Sequence, residues 1–159
     1  MNENTLEVGD QAPDFTLKNQ RGQDVTLSAL KGKKVLLSFH PLAWTPVCEI
    51  QMRSLEAKFN DFAKLNTLAL GISVDSGASK KKWAESLGME KTDILADFWP
   101  HGDIARKYKL FIGKAGIAAR ANILVDEAGN IEWMRIYDIP EIPDIEEILR
   151  LLRKPKQGN

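Results

Sequence analysis

Two short apolar runs, Val35–Phe39 and Leu68–Val74, constrain the fold of this chain more than any other feature. Neither run alternates polar with apolar residues, so each reads as a strand buried on both faces. A helical pattern follows each of them. After the first, Met52, Leu55, Phe59 and Phe62 recur at three- or four-residue spacing, which predicts one helix with a single buried stripe. After the second, Ser79–Leu87 reads as a helix stopped by Gly88. Strand, helix, strand, helix is the order of an α/β layered domain, with the two strands parallel if they share a sheet.

The remaining segments fill in around this unit. Phe15–Leu17 and Val25–Leu27 flank a polar run containing Gly22 and predict an N-terminal β-hairpin. Ile94–Ala96 predicts a short strand, Ala121–Val125 and Ile131–Tyr137 a strand pair about the turn 126–130, and Ile145, Ile148, Leu149 and Leu152 the stripe of a closing helix. At 159 residues, with 43% apolar and 28% charged side chains, the chain is expected to form one domain over 1–159, with 154–159 as a polar tail. Lysine plus arginine equals aspartate plus glutamate at 22 each, so net charge offers nothing to a nucleic acid or an anionic membrane. The N-terminus lacks the basic start and apolar run of a secretory signal, and a cytoplasmic location is the expectation. The single cysteine, Cys48, excludes an internal disulfide and a CxxC site. If Cys48 does redox work, its second sulfur comes from another molecule.

The segment from His40 to Cys48 joins the first buried strand to the helix, where α/β sheets place their sites. Thr45-Pro46 has the form of an N-cap and first helical residue, which puts Cys48 at the third position, among unpaired N–H donors. A thiolate is favoured there, but a helix terminus supplies only about 0.3–1 kcal/mol. Lowering a thiol pKa from about 8.5 to about 6 takes about 3.4 kcal/mol, so a further cation is wanted. Arg53 and Arg120 are both candidates, and periodicity does not choose between them. Thr45 has a hydroxyl that can cap the helix or direct its proton at the sulfur or at an oxygen of a bound substrate. Pro41 donates no amide and, with Trp44, can shield the sulfur from water. His40 and His101 lack metal-ligand spacing with Cys48, and no metal is expected. Trp44, Phe98, Trp99 and Phe111 read as core or subunit-contact residues, and Lys80, Lys81 and Lys82 as the solvated face of a helix.

Pro41-x-x-x-Thr45-x-x-Cys48 resembles the active-site motif of the peroxiredoxins, the alkyl hydroperoxide reductase and thiol-specific antioxidant family. Val8–Phe15 is similar to the family's opening, and Asp97–Gly102 is similar to a segment of its one-cysteine alkyl hydroperoxide reductase E branch. Gly116–Arg120 resembles the segment that carries the family's second active-site arginine, so the resemblance selects Arg120. It implies a thioredoxin-like fold, with a central mixed sheet flanked by helices, and catalysis by Cys48, Thr45, Arg120 and Pro41 without metal or organic cofactor. It further implies reduction of hydrogen peroxide or organic hydroperoxides and resolution by an external thiol, either a thioredoxin-like or glutaredoxin-like protein or a low-molecular-weight thiol. A homodimer or higher homo-oligomer is expected. One departure is Gln51, where many members carry glutamate, with Glu49 beside Cys48 instead. The alternative from another class is a binding or holdase protein that keeps the scaffold without peroxidase activity.

Overall fold

In the computed structural model, which describes residues 5–154, the first apolar run forms β3 of a larger sheet. Before it come β1 (Thr16–Lys18) and β2 (Asp24–Thr26), the expected hairpin, then a single 3-10 turn at Leu27–Leu30. β3 spans Lys34–Phe39 and leads into α1 (Pro46–Ala57) and α2 (Phe59–Lys64). β4 (Thr67–Ser73) and α3 (Gly77–Leu87) repeat the pattern, followed by β5 (Asp93–Ala96) and α4 (Asp103–Lys107). A small pair, β6 (Phe111–Ile112) and β7 (Ile117–Ala118), precedes the long pair β8 (Arg120–Val125) and β9 (Ile131–Tyr137). The helix α5 (Ile145–Arg153) closes the described chain, and 155–159 of the expected polar tail lie outside the described residues.

The seven-stranded sheet runs β2-β1-β5-β4-β3-β8-β9. β3, β4 and β5 are parallel, while β8 pairs antiparallel with both β3 and β9. The sheet is therefore mixed, with the two apolar runs at its centre.

Strand alternation divides the core in two. Val35, Leu37 and Phe39 point to one face with Leu70, Ile72, Ala121, Ile123 and Val125, where Phe15, Ile104 and Tyr108 cover them. Leu36, Ala69, Ile94 and Leu124 point to the other, against Met52 and Leu55 of α1, Phe62 of α2, Trp83 of α3, and Ile148 and Leu149 of α5. Each fully buried Leu or Met here contributes about 1.5–3 kcal/mol by leaving water. Gly71 of β4 makes the α1 contact possible, because a Cβ there would sit 2.4 Å from Met52 Sδ and 3.0 Å from Ile94 Cγ2. Gly88 ends α3 as expected, with φ 68°, and Ser76 caps its start by accepting from the Ser79 amide.

Two expectations are corrected. The helix predicted through Met52, Leu55, Phe59 and Phe62 is broken at Lys58 (φ −101°, ψ 12°), so Phe62 enters the core from a separate short helix. Lys81 and Lys82 are exposed, but Lys80 is fully buried, at the start of a stripe Lys80, Trp83, Ala84 and Leu87 with helical spacing. Helical phase, not charge, decides which lysine faces inward.

Candidate active site

The β3–β8 register pairs Leu36 with Leu124 and Ser38 with Asn122 on the face that α1 covers. Extending this alternation brings Arg120 beneath the first turn of α1. There Arg120 Nη1 donates to Cys48 Sγ at 3.4 Å and to Gln51 Oε1 at 2.7 Å, while Nε donates to the Ile139 carbonyl at 2.9 Å. Arg120 is only 2% exposed, so these bonds act at low effective dielectric. Arg53, the other sequence candidate, lies outside, paired with Glu49 at 3.2 Å with both side chains about half exposed.

Gln51 accounts for the departure from the family pattern. Its Oε1 accepts from Arg120, and its Nε2 donates to Ser38 Oγ at 2.7 Å and to the Phe39 carbonyl at 3.2 Å. A glutamate would lose those two donated bonds and bury an additional negative charge beside the sulfur. The amide aligns the guanidinium and remains neutral.

Thr45 and Pro46 take the expected cap and first helical positions, and Cys48 is the third residue of α1. The Thr45 hydroxyl does neither of the things anticipated for it. It donates to the Leu42 carbonyl at 2.9 Å and makes no side-chain cap bond. The loop before it is pinned from the next βα connection. The Ala43 amide donates to Asp75 Oδ2 at 2.8 Å, and Trp44, at φ 70°, donates its indole N–H to Ser79 Oγ at 2.9 Å. Pro41 is buried, whereas Trp44 is half exposed. Phe98 and Trp99 are also exposed and not core residues.

The Cys48 sulfur is closed to solvent in this conformation. Cys48 is 0% exposed and sits in one cluster with Ala43, Met52 and Trp83. It is sealed from solvent but not from charge, since the Arg120 guanidinium is in contact with it.

His40, beyond the end of β3, is also fully buried. Burial, reinforced by Lys80 and Arg120, lowers its pKa well below the ordinary imidazole value, so the ring is neutral. Its Nε2 accepts from Lys80 Nζ at 2.8 Å. The Lys80 amine is pushed down to about 7 by burial, against the pull of Asp75 and Cys48. His101 is occupied elsewhere, with Nε2 at 2.7 Å from the Gly116 carbonyl. Among the described residues no group of three or more His, Cys, Asp or Glu is placed to hold a metal. Asp97 accepts from the amides of Ile104 and Ala105 and so anchors the start of α4. Gln51, Ser38, His40 and Lys80 were not among the candidate site residues. The one available signal was phase, since Gln51 shares a helical face with Cys48 and Lys80 with Trp83.

A mixed sheet of this order, with a lone cysteine on the first turn of the helix that follows a central strand, defines a thioredoxin-like α/β protein with a thiol site. The AhpC/TSA family profile matches residues 8–134. An alkyl hydroperoxide reductase E from Mycobacterium tuberculosis (strain ATCC 25618 / H37Rv) is 40% identical over 140 residues, covering 87% of this chain and 91% of that protein. A peroxiredoxin 2 from Picrophilus torridus is 36% identical over 151 residues, covering 92% and 74%. Among solved structures, the reduced 2-Cys peroxiredoxin of Plasmodium vivax superposes with a TM-score of 0.85 at 27% identity, covering 92% of this chain and 80% of that one. The chain belongs to the AhpC/TSA family of peroxiredoxins. Membership supports a thiol peroxidase role. Among the described residues, no helix is long and apolar enough to cross a membrane.

Proposed function

We propose that the chain reduces hydroperoxides through Cys48 and that an outside thiol completes the cycle. The Cys48 thiolate attacks one peroxide oxygen, the O–O bond breaks, and the departing alkoxide or hydroxide takes up a proton to leave as alcohol or water. Cys48 is left as a sulfenic acid. The observation that carries this reading is the Arg120 Nη1 contact with Cys48 Sγ at 3.4 Å on the first turn of α1.

Magnitudes divide the work among the residues. Taking a thiol from a few per cent ionised to nearly fully ionised gains only about 30-fold, and a more acidic thiol is a weaker nucleophile. A fixed donor at the leaving oxygen is worth about 100- to 1000-fold. The main role assigned to Arg120 is therefore to meet the charge that develops as the O–O bond breaks, since its fork of donors stays protonated. In this reading the loop 41–45 opens to admit peroxide, and Thr45 exchanges its bond to Leu42 for one to the substrate. Pro41 keeps the inner wall dry and offers no competing amide. Trp44, Phe98 and Trp99 are exposed in the single chain and are available for contacts between copies.

With no second cysteine in the chain, the sulfenic acid waits for a low-molecular-weight thiol or a thioredoxin-like or glutaredoxin-like protein. Mass spectrometry after one equivalent of peroxide should show one added oxygen on Cys48, removed by added thiol and absent from Cys48→Ser. A parent protein that gains no oxygen would overturn the reading. A holdase lacking peroxidase activity would have no use for an arginine and a glutamine buried against its only cysteine.

A further inference from the structure

The loop that leads to Cys48 is held shut by side chains from another part of the fold. Ala43 lies in the same buried cluster as the sulfur, and its amide donates to Asp75 Oδ2 at 2.8 Å. That carboxylate is braced in turn by the Ser73 hydroxyl at 2.6 Å. The next residue, Trp44, sits at φ 70°, in the left-handed region that a bulky side chain rarely enters. A residue in such a conformation persists only where its surroundings over-determine it. Trp44 is 55% exposed, so packing holds only part of it, and the remaining restraint is the bond from its indole N–H to Ser79 Oγ at 2.9 Å. Asp75 precedes α3 and Ser79 lies in its first turn, so both restraints come from the β4–α3 unit.

We propose that the Trp44–Ser79 bond is the latch of the entrance to Cys48, and that Ser79, acting through Trp44, is a positioning residue that sets the size of hydroperoxide admitted. The inference rests on the reading of Cys48 as the reacting sulfur. Hydrogen peroxide is little larger than water, and a small displacement at Ala43 admits it. A hydroperoxide on a tertiary or aryl-substituted carbon carries its bulk beside the oxygens, so the loop has to swing out as far as Trp44 and the latch has to break. The cost of the latch therefore falls on bulky substrates and hardly on the smallest. A single hydrogen bond that water can replace is worth about 2- to 10-fold in such an equilibrium. Relief of the strain at Trp44 offsets part of that cost, which leaves the loop poised to open.

The test compares single-turnover rates of the parent, Ser79→Ala and Ser79→Thr with hydrogen peroxide and with cumene hydroperoxide. Alanine at this position keeps the backbone N–H that Ser76 caps and favours the helix, so the variant should fold. Ser79→Ala should raise the rate constant for cumene hydroperoxide about 3- to 10-fold and that for hydrogen peroxide by less than about twofold, while Ser79→Thr, which keeps a hydroxyl, should match the parent. Trp44→Phe, which lacks the indole N–H, should shift the ratio of the two rates in the same direction, and adding Ser79→Ala to it should change the ratio no further. An unchanged ratio in folded Ser79→Ala, or two substitutions whose effects add, would overturn the proposal. A second arm uses no peroxide. Alkylation of Cys48 by N-ethylmaleimide should speed up about 3- to 10-fold in Ser79→Ala, and alkylation by the smaller iodoacetamide by less. An N-ethylmaleimide rate that rises no more than the iodoacetamide rate would also overturn it. A protein inert to peroxide would remove the proposed function, with the latch then decided by the alkylation rates alone.

Discussion

The two faces of the central sheet are built from the same strands and have opposite character. Toward Phe15 and Tyr108, β3 and β8 present Val35, Leu37, Phe39, Ala121, Ile123 and Val125, all apolar. Toward α1 and α3 the same strands present Leu36 and Leu124, then Ser38, Asn122, Arg120 and the adjoining His40, all buried. The first face can only hold the fold together. The second becomes polar toward the C-terminal end of β3, and it does so where α1 begins and Cys48 sits. Buried polar groups are expensive unless paired, so their concentration at one end of one face marks where stability has been exchanged for chemistry.

Substitutions on each face should separate those roles. Cys48→Ser should abolish peroxide consumption in a thiol-coupled assay, with the melting temperature close to the parent's. Leu37→Ala, on the apolar face, should cost about 2–5 kcal/mol in denaturant unfolding and leave the peroxide rate constant of the folded fraction unchanged. Arg120→Ala should lower the single-turnover rate of the folded protein about 100- to 1000-fold, in addition to the stability lost with its buried bonds to Gln51 and the Ile139 carbonyl. Gly71→Ala, which forces Met52 to move beneath α1, should cost about 1–3 kcal/mol in stability. The last comparison is one of pH. The buried Lys80 binds its proton less tightly than an unfolded lysine, so between about 7 and its ordinary value of 10.5 the unfolded chain holds more protons. Stability of the parent relative to Lys80→Met should therefore rise with pH across that window and be flat below it. A difference that falls as pH rises would contradict the burial of a proton-poor amine.

The apolar face was the more legible one. Uninterrupted apolar runs locate β3 and β4, and Asp126–Asn130 locates the turn between β8 and β9, because those patterns follow directly from burial and turn chemistry. The break at Lys58 was hidden, since Phe59 and Phe62 keep helical spacing across it. On the polar face, Cys48 at the third helical position is legible from Thr45-Pro46, but the choice between Arg53 and Arg120 comes from the family resemblance of Gly116–Arg120, because periodicity does not carry the strand register that places Arg120. Gln51 reads in sequence as a departure from the family pattern, and its meaning lies in Ser38, Phe39 and Arg120, which only the fold brings around it. Lys80 was concealed by its neighbours, for Lys81 and Lys82 make the run look solvated while helical phase turns one of the three inward. The closure of the loop over Cys48 depends on Asp75 and Ser79, which arrive from the next βα unit.

The claim that Arg120 acts mainly on the breaking O–O bond, and only secondarily on the ionisation of Cys48, is tested most directly by stopped-flow peroxide rates measured beside thiolate titrations in the parent and Arg120→Ala. The rate per thiolate should fall by about 100-fold or more in the variant. A fall in rate that merely tracks the loss of thiolate would show that the guanidinium serves the sulfur alone.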